Sequence, residues 1–176
     1  MAQGANKNKR TVAKRVAIDS ILTATALAVF VIELQIPSPV PIPGIKLGLA
    51  NIITLFAVFK IGNVDAFLIL LSRILLGGLF SGNPTAILYS LAGGILCFLV
   101  TILFKKIVTK KQIWVASVFG ALAHNIGQMT VALIVTRTAA LLGYLPVLMV
   151  SAVITGLFTG VAATVISKKA ASAVRM

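Results

Sequence analysis

Acidic residues, cysteine and histidine are all scarce in this sequence. Three Asp and Glu stand against sixteen Lys and Arg among 176 residues, with one Cys and one His. A single thiol excludes an intrachain disulfide, and one Cys with one His cannot form a four-ligand structural zinc site. The scattered acids, Asp19, Glu33 and Asp65, do not supply the clustered carboxylates that hold Mg²⁺ against a diphosphate. No G-x-x-x-x-G-K-[ST] motif occurs either, so we expect no P-loop, no metal, no cofactor and no enzymatic activity of the chain alone.

Charged residues are few overall, and their placement is uneven. They make up 11% of the chain while apolar residues make up 59%, against about 25% and about 45–50% in soluble domains. So little polar surface cannot cover a soluble fold of this size. A formal charge of +13 suggests nucleic acid in a soluble protein, but here the cations cluster between apolar runs. Such clusters are typical of the cytoplasmic flanks of membrane helices, and we expect no nucleic-acid partner.

Six apolar runs are long enough to cross a bilayer, whose apolar core of about 30 Å needs about 20 helical residues. The sequence therefore predicts an all-α, polytopic membrane protein with a six-helix domain over residues 14–168. A basic tail at 1–13 is expected to be disordered, and 169–176 form a second cytoplasmic tail. The predicted spans are roughly Val16–Ile36, Gly44–Phe59, Val64–Phe80, Thr85–Phe104, Ile113–Thr136 and Leu141–Ile166.

The distribution of cations gives an orientation for these spans. Thirteen of the sixteen Lys and Arg fall on one side, Lys46 and Arg137 on the other, and Arg73 inside a span. Because cytoplasmic loops hold the excess of cations, both termini are predicted to be cytoplasmic. A cleaved signal peptide is the alternative for the N-terminus. The apolar run continues past Ala24–Ala28 without a polar cleavage region, which favours an uncleaved first helix.

Several polar residues are predicted to lie near the middle of the membrane. At 1.5 Å per residue, Asn51, Arg73, His124 and Asn125 are about 12–18 Å from the cytoplasmic edge, on three different helices. On the fifth span, His124, Asn125 and Gln128 occupy one arc about 100° wide. An intramembrane charge costs about 2.5–3.5 kcal/mol on insertion scales, so this layer requires a structural or functional reason.

Two interpretations of this polar layer remain open at the level of sequence. Amides and imidazole hydrogen-bond helices together in membrane bundles. Alternatively they line a small-molecule site, in which Arg73 requires a counter-charge from a bound anion or from Glu33. Asp19 is expected to pair with Arg15 one turn earlier. The candidate ligand-binding residues are Lys46, Asn51, Arg73, His124, Asn125 and Gln128.

Two further patterns concern the surface of the bundle. Four alternating prolines in residues 37–44 predict a stiff, extended segment at the outer rim, either a lid or a rigid connector. Small residues at Ser20, Ala24 and Ala28 predict a smooth strip on the first helix against which a partner helix can dock. Gly156 and Gly160 form a similar strip, for which we expect internal packing.

Three stretches carry a resemblance to a known family: PGIKLGLANI at 43–52, SRILLG at 72–77 and AHNIGQ at 123–128. The sequence resembles the bacterial membrane family labelled both heptaprenyl diphosphate synthase component I and Gx transporter family. The layout is also similar to the six-helix S components of energy-coupling-factor transporters. In those proteins an Ala-x-x-x-Ala strip on the first helix docks a transmembrane coupling subunit, and Ala24 with Ala28 matches it.

The two resemblances imply different functions. An S-component-like bundle implies uptake of a small, anionic or polar solute, with a coupling subunit and ATPase subunits as partners. The synthase label implies a non-catalytic membrane partner of a soluble prenyl synthase in isoprenoid biosynthesis. The sequence analysis favours uptake and keeps the synthase partner as the alternative. In either case the expected location is the bacterial cytoplasmic membrane, with the lipid bilayer as surroundings.

Overall fold

A computed structural model describes residues 2–36, 46–82, 84–109 and 112–173. Within these ranges all regular structure is helical. A long first helix is followed by one short helix and then by four longer ones. The elements are α1 (Ala2–Glu33), α2 (Asn51–Lys60), α3 (Asn63–Ser81), α4 (Pro84–Lys105), α5 (Ile113–Thr136), a 3₁₀ turn (Ala139–Tyr144) and α6 (Leu145–Ala173).

The described helices include five that are long and apolar enough to cross a membrane. Each has at least 19 residues, so each extends over most or all of a bilayer core of about 30 Å. The predicted all-α, polytopic membrane fold is therefore confirmed. The five segments are Val12–Glu33, Asn63–Ser81, Pro84–Lys105, Ile113–Thr136 and Ala139–Lys168.

The second predicted span is shorter than expected. α2 has 10 residues and a length of about 15 Å, half of the apolar core. Residues 46–48 are not helical, and Gly48 has a φ of +79°. A left-handed residue cannot continue a right-handed helix, so α2 begins only at Asn51.

The short helix α2 is packed on several sides by other helices. It contacts α1, α3, α4 and α6. Its last turn is closed by Lys105, whose Nζ donates to the carbonyl of Val58 and to Oδ1 of Asn63, the latter at 3.0 Å. Backbone shielded in this way can end inside a membrane protein without facing lipid. Its apolar side joins a core formed by Ala26, Ile53, Ala57, Val58, Ala66, Ile69, Leu70, Ile74 and Phe98.

Close helix contacts in the bundle occur at glycines. A Cβ added to Gly127 on α5 would lie 2.7 Å from the carbonyl oxygen of Ala92 on α4. Gly156 and Gly160 on α6 approach α5 in the same way, and a Cβ on Gly160 would lie 2.5 Å from Cα of Trp114. The expected internal packing of Gly156 and Gly160 is confirmed. Helices whose backbones approach this closely gain dispersion contacts, and a larger side chain at these positions would keep them apart.

Polarity is distributed in the opposite way to a soluble fold. Large apolar side chains face outward, with Leu79 77% exposed and Ile134 68% exposed. Charged and amide side chains lie inside the bundle, among them Glu33, Asn51, Arg73, His124, Asn125 and Gln128. This distribution is stable in lipid, because apolar side chains that face lipid tails pay no hydrophobic cost, whereas polar side chains avoid lipid by facing the interior of the bundle.

An ion pair joins α1 to α3 near one end of the bundle. A guanidinium nitrogen of Arg15 lies 2.5 Å from Oδ1 of Asp65, and Arg15 Nε donates to the same oxygen at 2.6 Å. The expected pairing of Arg15 with Asp19 is wrong: the acid in the first turn of α3 takes the contact, and Asp19 lies beside the pair. Sequence spacing could not reveal this partner because it lies on another helix.

Two predicted features concern the ends of the chain and its first loop. α1 begins at Ala2 and α6 ends at Ala173, so residues 2–13 of the basic segment, predicted to be disordered, form the start of the first helix. Part of the predicted tail 169–176 likewise extends α6. The proline-rich segment 37–44, predicted as a lid or a connector, lies outside the described residues.

Candidate functional site

The centre of the site is a hydrogen-bonded chain across three helices. A guanidinium NH₂ of Arg73 on α3 donates to Oδ1 of Asn51 on α2 at 2.9 Å. The amide nitrogen of Asn51 lies 3.1 Å from Nδ1 of His124 on α5. All three side chains are buried, with Arg73 and His124 each 3% exposed. Arg73 lies about 15 Å along α3, near the middle of a spanning helix.

This chain of contacts fixes the roles of the imidazole nitrogens. Arg73 can only donate, so Asn51 presents its oxygen to it and its NH₂ group to His124. Nδ1 of His124 is then the acceptor, and the ring proton is on Nε2. The imidazole in this arrangement is neutral.

Glycines make room for the imidazole on two sides. A Cβ at Gly93 on α4 would lie 2.8 Å from Nδ1 of His124, and one at Gly48 would lie 3.0 Å from Cδ2. Gly48 also needs its positive φ, so two constraints coincide at this position. The sequence analysis missed Gly48 and Gly93 as parts of the site. The one indication in the sequence was that Gly48 lies in the stretch 43–52, which carries the family resemblance.

Glu33 holds the start of α2 in place. Its carboxylate accepts the backbone N–H of Gly48 and also interacts with the amides of Leu49 and Ala50. These amides precede the first turn of α2, where no intrahelical acceptor exists. Among the described residues no contact ion pair joins Glu33 to Arg73. Of the two counter-charges considered for Arg73, Glu33 acts on it only from a distance.

Lys46 extends the site toward the first loop. Its Nζ lies 3.9 Å from the centroid of the Phe30 ring, a cation–π contact. Its backbone N–H points at Oε1 of Gln128 at 3.4 Å, which links the loop to α5. Gln128 is 1% exposed. The segment before α2 is thus held by Phe30 and Glu33 from α1 and by Gln128 from α5.

Asn125 stands apart from the other candidates. Its amide nitrogen donates to the carbonyl of Leu148 on α6 at 2.7 Å, so it connects α5 to α6. The structure therefore brings together five of the six candidate residues, Lys46, Asn51, Arg73, His124 and Gln128, and turns Asn125 toward a different neighbour. That these residues bind a ligand stays a prediction.

Three buried polar atoms of the candidate residues have no hydrogen-bond partner in the described part of the chain. They are Nε of Arg73, Nζ of Lys46 and Oδ1 of Asn125. Buried polar atoms in native proteins are nearly always paired, so each unpaired one points to water, an ion or a ligand. The two nitrogens both carry positive charge and belong to the same cluster.

A small enclosed space lies beside Asn51 and Gly48 and leaves room for about one water molecule. Hydroxyl groups from three helices line it, and Oγ of Ser117 is 2.8 Å from Oγ1 of Thr159. Sequence reasoning missed these hydroxyls, because Ser and Thr are common in membrane helices and carry no distinctive spacing. The polar residues around this space are Asn51, Cys97, Thr101, Ser117, Thr155 and Thr159.

The predicted docking strip lies on the outer surface of α1. Ser20, Ala24 and Ala28 are all exposed. Ser20 and Ala24 line a groove of about 540 Å³ between α1 and α3, with apolar walls that include Leu27 and Leu68. The strip is therefore accessible to a partner, while the role assigned to it stays a prediction.

Together the fold and the site define a multi-pass membrane protein with a buried, net cationic polar cluster. The chain matches the family model described as heptaprenyl diphosphate synthase component I over residues 22–166, and it belongs to this family. The match covers α2 to α5 completely, most of α6 and the last 12 residues of α1. No curated protein and no solved structure matches the chain. None of these comparisons supports the expected resemblance to S components.

Proposed function

We propose that this protein is a non-catalytic membrane component that works with a soluble heptaprenyl diphosphate synthase. The observation that carries the proposal is membership of the component I family over residues 22–166. This is the alternative that the sequence analysis kept beside uptake. The family description supports a role next to a prenyl synthase, and the distribution of acids supports placing the catalysis elsewhere.

The three acids of the chain cannot act together on one diphosphate. Asp19 and Glu33 lie on the same helix, 14 residues apart by number, which separates them by about 21 Å. Asp65 lies near Asp19 but is held by Arg15. The one adjacent pair of acids, Asp19 and Asp65, is thus occupied by Arg15, and Glu33 is remote from it, which supports assigning the chain-elongation chemistry to the partner.

A membrane component can assist the synthesis of long prenyl chains by holding the soluble enzyme next to the bilayer. Each buried CH₂ favours the membrane by about 0.8 kcal/mol, so a growing polyprenyl chain partitions into the bilayer. A subunit that holds the enzyme at the membrane surface shortens the path of that product. Exposed cations at the predicted cytoplasmic end offer a surface for an acidic partner, and they include Lys60, Lys106 and Lys168.

The test is co-purification from native membranes with a prenyl synthase, followed by analysis of product length. We expect the soluble synthase to co-purify and to make longer products when the membrane protein is present. Lys106→Glu should reduce the amount recovered by about tenfold, because it reverses one charge on an exposed contact surface.

The control is Arg137→Glu, which makes the same change in charge at an exposed residue on the opposite side of the predicted topology. It should leave recovery of the synthase unchanged. Unchanged product length, or equal loss with both variants, would contradict the proposal.

A second candidate function is uptake of a small solute as the binding subunit of a larger transporter. The observation that favours it is the buried cluster, in which Arg73 Nε and Lys46 Nζ have no described partner. Such a transporter needs a transmembrane coupling subunit and ATPase subunits, since this chain has no P-loop. The strip of Ser20, Ala24 and Ala28 would dock the coupling subunit.

Uptake predicts that ATPase subunits co-purify with the chain and that Ala24→Trp abolishes this. A tryptophan in the groove between α1 and α3 prevents close approach of another helix. Val150→Trp on α6 is the control, because Val150 is 62% exposed and lies on another face. Recovery of ATPase subunits with Ala24→Trp at the wild-type level would remove the docking argument.

A further inference from the structure

We infer that the buried cluster binds one small oxyanion carrying a single negative charge, held by Arg73 and Lys46. The inference deepens the uptake function, on which it rests for movement of the ligand. Binding itself is a property of the folded chain and can be measured separately.

The first step is the charge of the cluster. Two side chains are cationic, Lys46 and Arg73, and one is anionic, Glu33. Asn51 and Gln128 are neutral, and the contact with Asn51 leaves His124 neutral as well. The cluster therefore carries one uncompensated positive charge inside an apolar bundle. An uncompensated charge inside a membrane bundle is costly, and a bound monoanion would offset that cost.

The second step is the availability of donors. Arg73 is 3% exposed, and its Nε has no partner among the described residues while one NH₂ group donates to Asn51. Nζ of Lys46 carries three N–H donors, and its described contact is the face of the Phe30 ring. The unpaired atoms of Arg73 and Lys46 can only donate hydrogen bonds. An oxyanion accepts several hydrogen bonds and donates none, so it matches this set of donors.

The third step is the exclusion of Glu33 as a sufficient partner. Its carboxylate is occupied by the amides that precede α2, and no contact ion pair joins it to Arg73 in the described ranges. If the cluster served only to hold helices together, an acid at contact distance from Arg73 would satisfy Nε. The arrangement instead keeps the acid at the start of α2 and leaves Nε of Arg73 without a described partner.

The size of the ligand is limited by the surrounding packing. Arg73 is 3% exposed and Lys46 is half-buried, so the packing leaves little room beside the two cations. We therefore expect an anion of a few atoms, or the anionic end of a larger molecule that enters beside Lys46. Two sources share this chemistry: a free carboxylate, and the phosphodiester of a lipid headgroup.

The experiment is equilibrium binding of radiolabelled acetate to the full chain, purified in maltoside detergent. Acetamide is the uncharged molecule of the same shape, and phosphatidylglycerol tests the lipid source by competition. We expect saturable binding of one acetate per chain and a rise of about 3–6 °C in the melting temperature at saturation. Acetamide should have no effect. Displacement by phosphatidylglycerol at lower concentration would identify a lipid headgroup as the preferred source.

Two variants test the charge argument in opposite directions. Lys46→Gln removes one cation and should weaken acetate binding about tenfold, whereas Glu33→Gln removes the acid and should strengthen it by about the same factor. The glutamine side chain in Glu33→Gln keeps an oxygen for the amide of Gly48, so the start of α2 should persist. The matched control is Lys106→Gln, at an exposed residue outside the cluster, which should leave the affinity unchanged.

The outcomes separate this inference from the uptake function. Acetate binding that responds to Lys46→Gln and Glu33→Gln supports the site even if no solute is transported. Failure of both acetate and phosphatidylglycerol to bind, equal stabilisation by acetamide, or unchanged affinity in both variants would overturn it. Because neither test variant removes Arg73, the result does not depend on a variant that fails to fold.

Discussion

Gly160→Ala is expected to destabilise the protein by about 3 kcal/mol or to prevent its recovery in folded form. The added Cβ would lie 2.5 Å from Cα of Trp114 and 2.9 Å from Cβ of Ser117. The first of these is backbone, so no rotamer change can relieve the clash. α6 must move away from α5, and the hydroxyl contact between Ser117 and Thr159 is lost with it. Thermal unfolding in detergent measures the effect.

Gly143→Ala is the matched control for this prediction. Gly143 lies in the exposed 3₁₀ turn before α6, and a Cβ there meets no atom within 4 Å. The same chemical change should shift the melting temperature by less than about 1 °C, since it fills open space. Equal stability of the two variants would show that α5 and α6 are not in backbone contact.

Asn51→Leu is expected to cost about 3 kcal/mol of stability, because the substitution leaves two buried groups unpaired. Asn51 accepts from Arg73 and faces His124 through its amide nitrogen. Leucine has a similar volume and neither polar atom, so packing changes little while Arg73 loses its described hydrogen bond. A charged donor left without an acceptor is more costly than a neutral one. Chemical or thermal unfolding in detergent tests the value.

Thr159→Val provides the comparison with an ordinary interhelical hydrogen bond. Its hydroxyl pairs with Ser117 at 2.8 Å, and such contacts in a membrane protein average about 0.6 kcal/mol. We therefore expect the loss in Asn51→Leu to be several times larger than in Thr159→Val. Similar losses in both would mean that the guanidinium finds another acceptor, for instance Glu33 after a small movement of α1.

Much of the architecture was predictable because a membrane imposes length and polarity on each helix separately. α3, α4 and α5 coincide with three of the apolar runs to within two residues. Asn51, Arg73, His124 and Gln128 stood out because a polar side chain within an apolar run needs a reason wherever it occurs. The family resemblance came from short stretches of sequence that do not depend on the fold.

Other features depended on partners that are distant in sequence. Arg15 has Asp19 one turn away, but it pairs with Asp65, 50 residues later. Asn125 lies on the same arc as His124 and Gln128, yet it donates to α6. The length of α2 was overestimated, because an apolar run does not reveal that Gly48 adopts a positive φ.

The sequence by itself determined a helical membrane protein with a cationic end and a polar layer inside it, since hydropathy and charge act on each segment independently. Only the tertiary structure decided how the buried charges are satisfied. Glu33 is held by the amides before α2 and Arg73 by Asn51, and neither Arg73 nor Lys46 has a contacting acid in the described part of the chain. Pairing of this kind depends on distances between helices, and those are set by side-chain packing across the whole bundle.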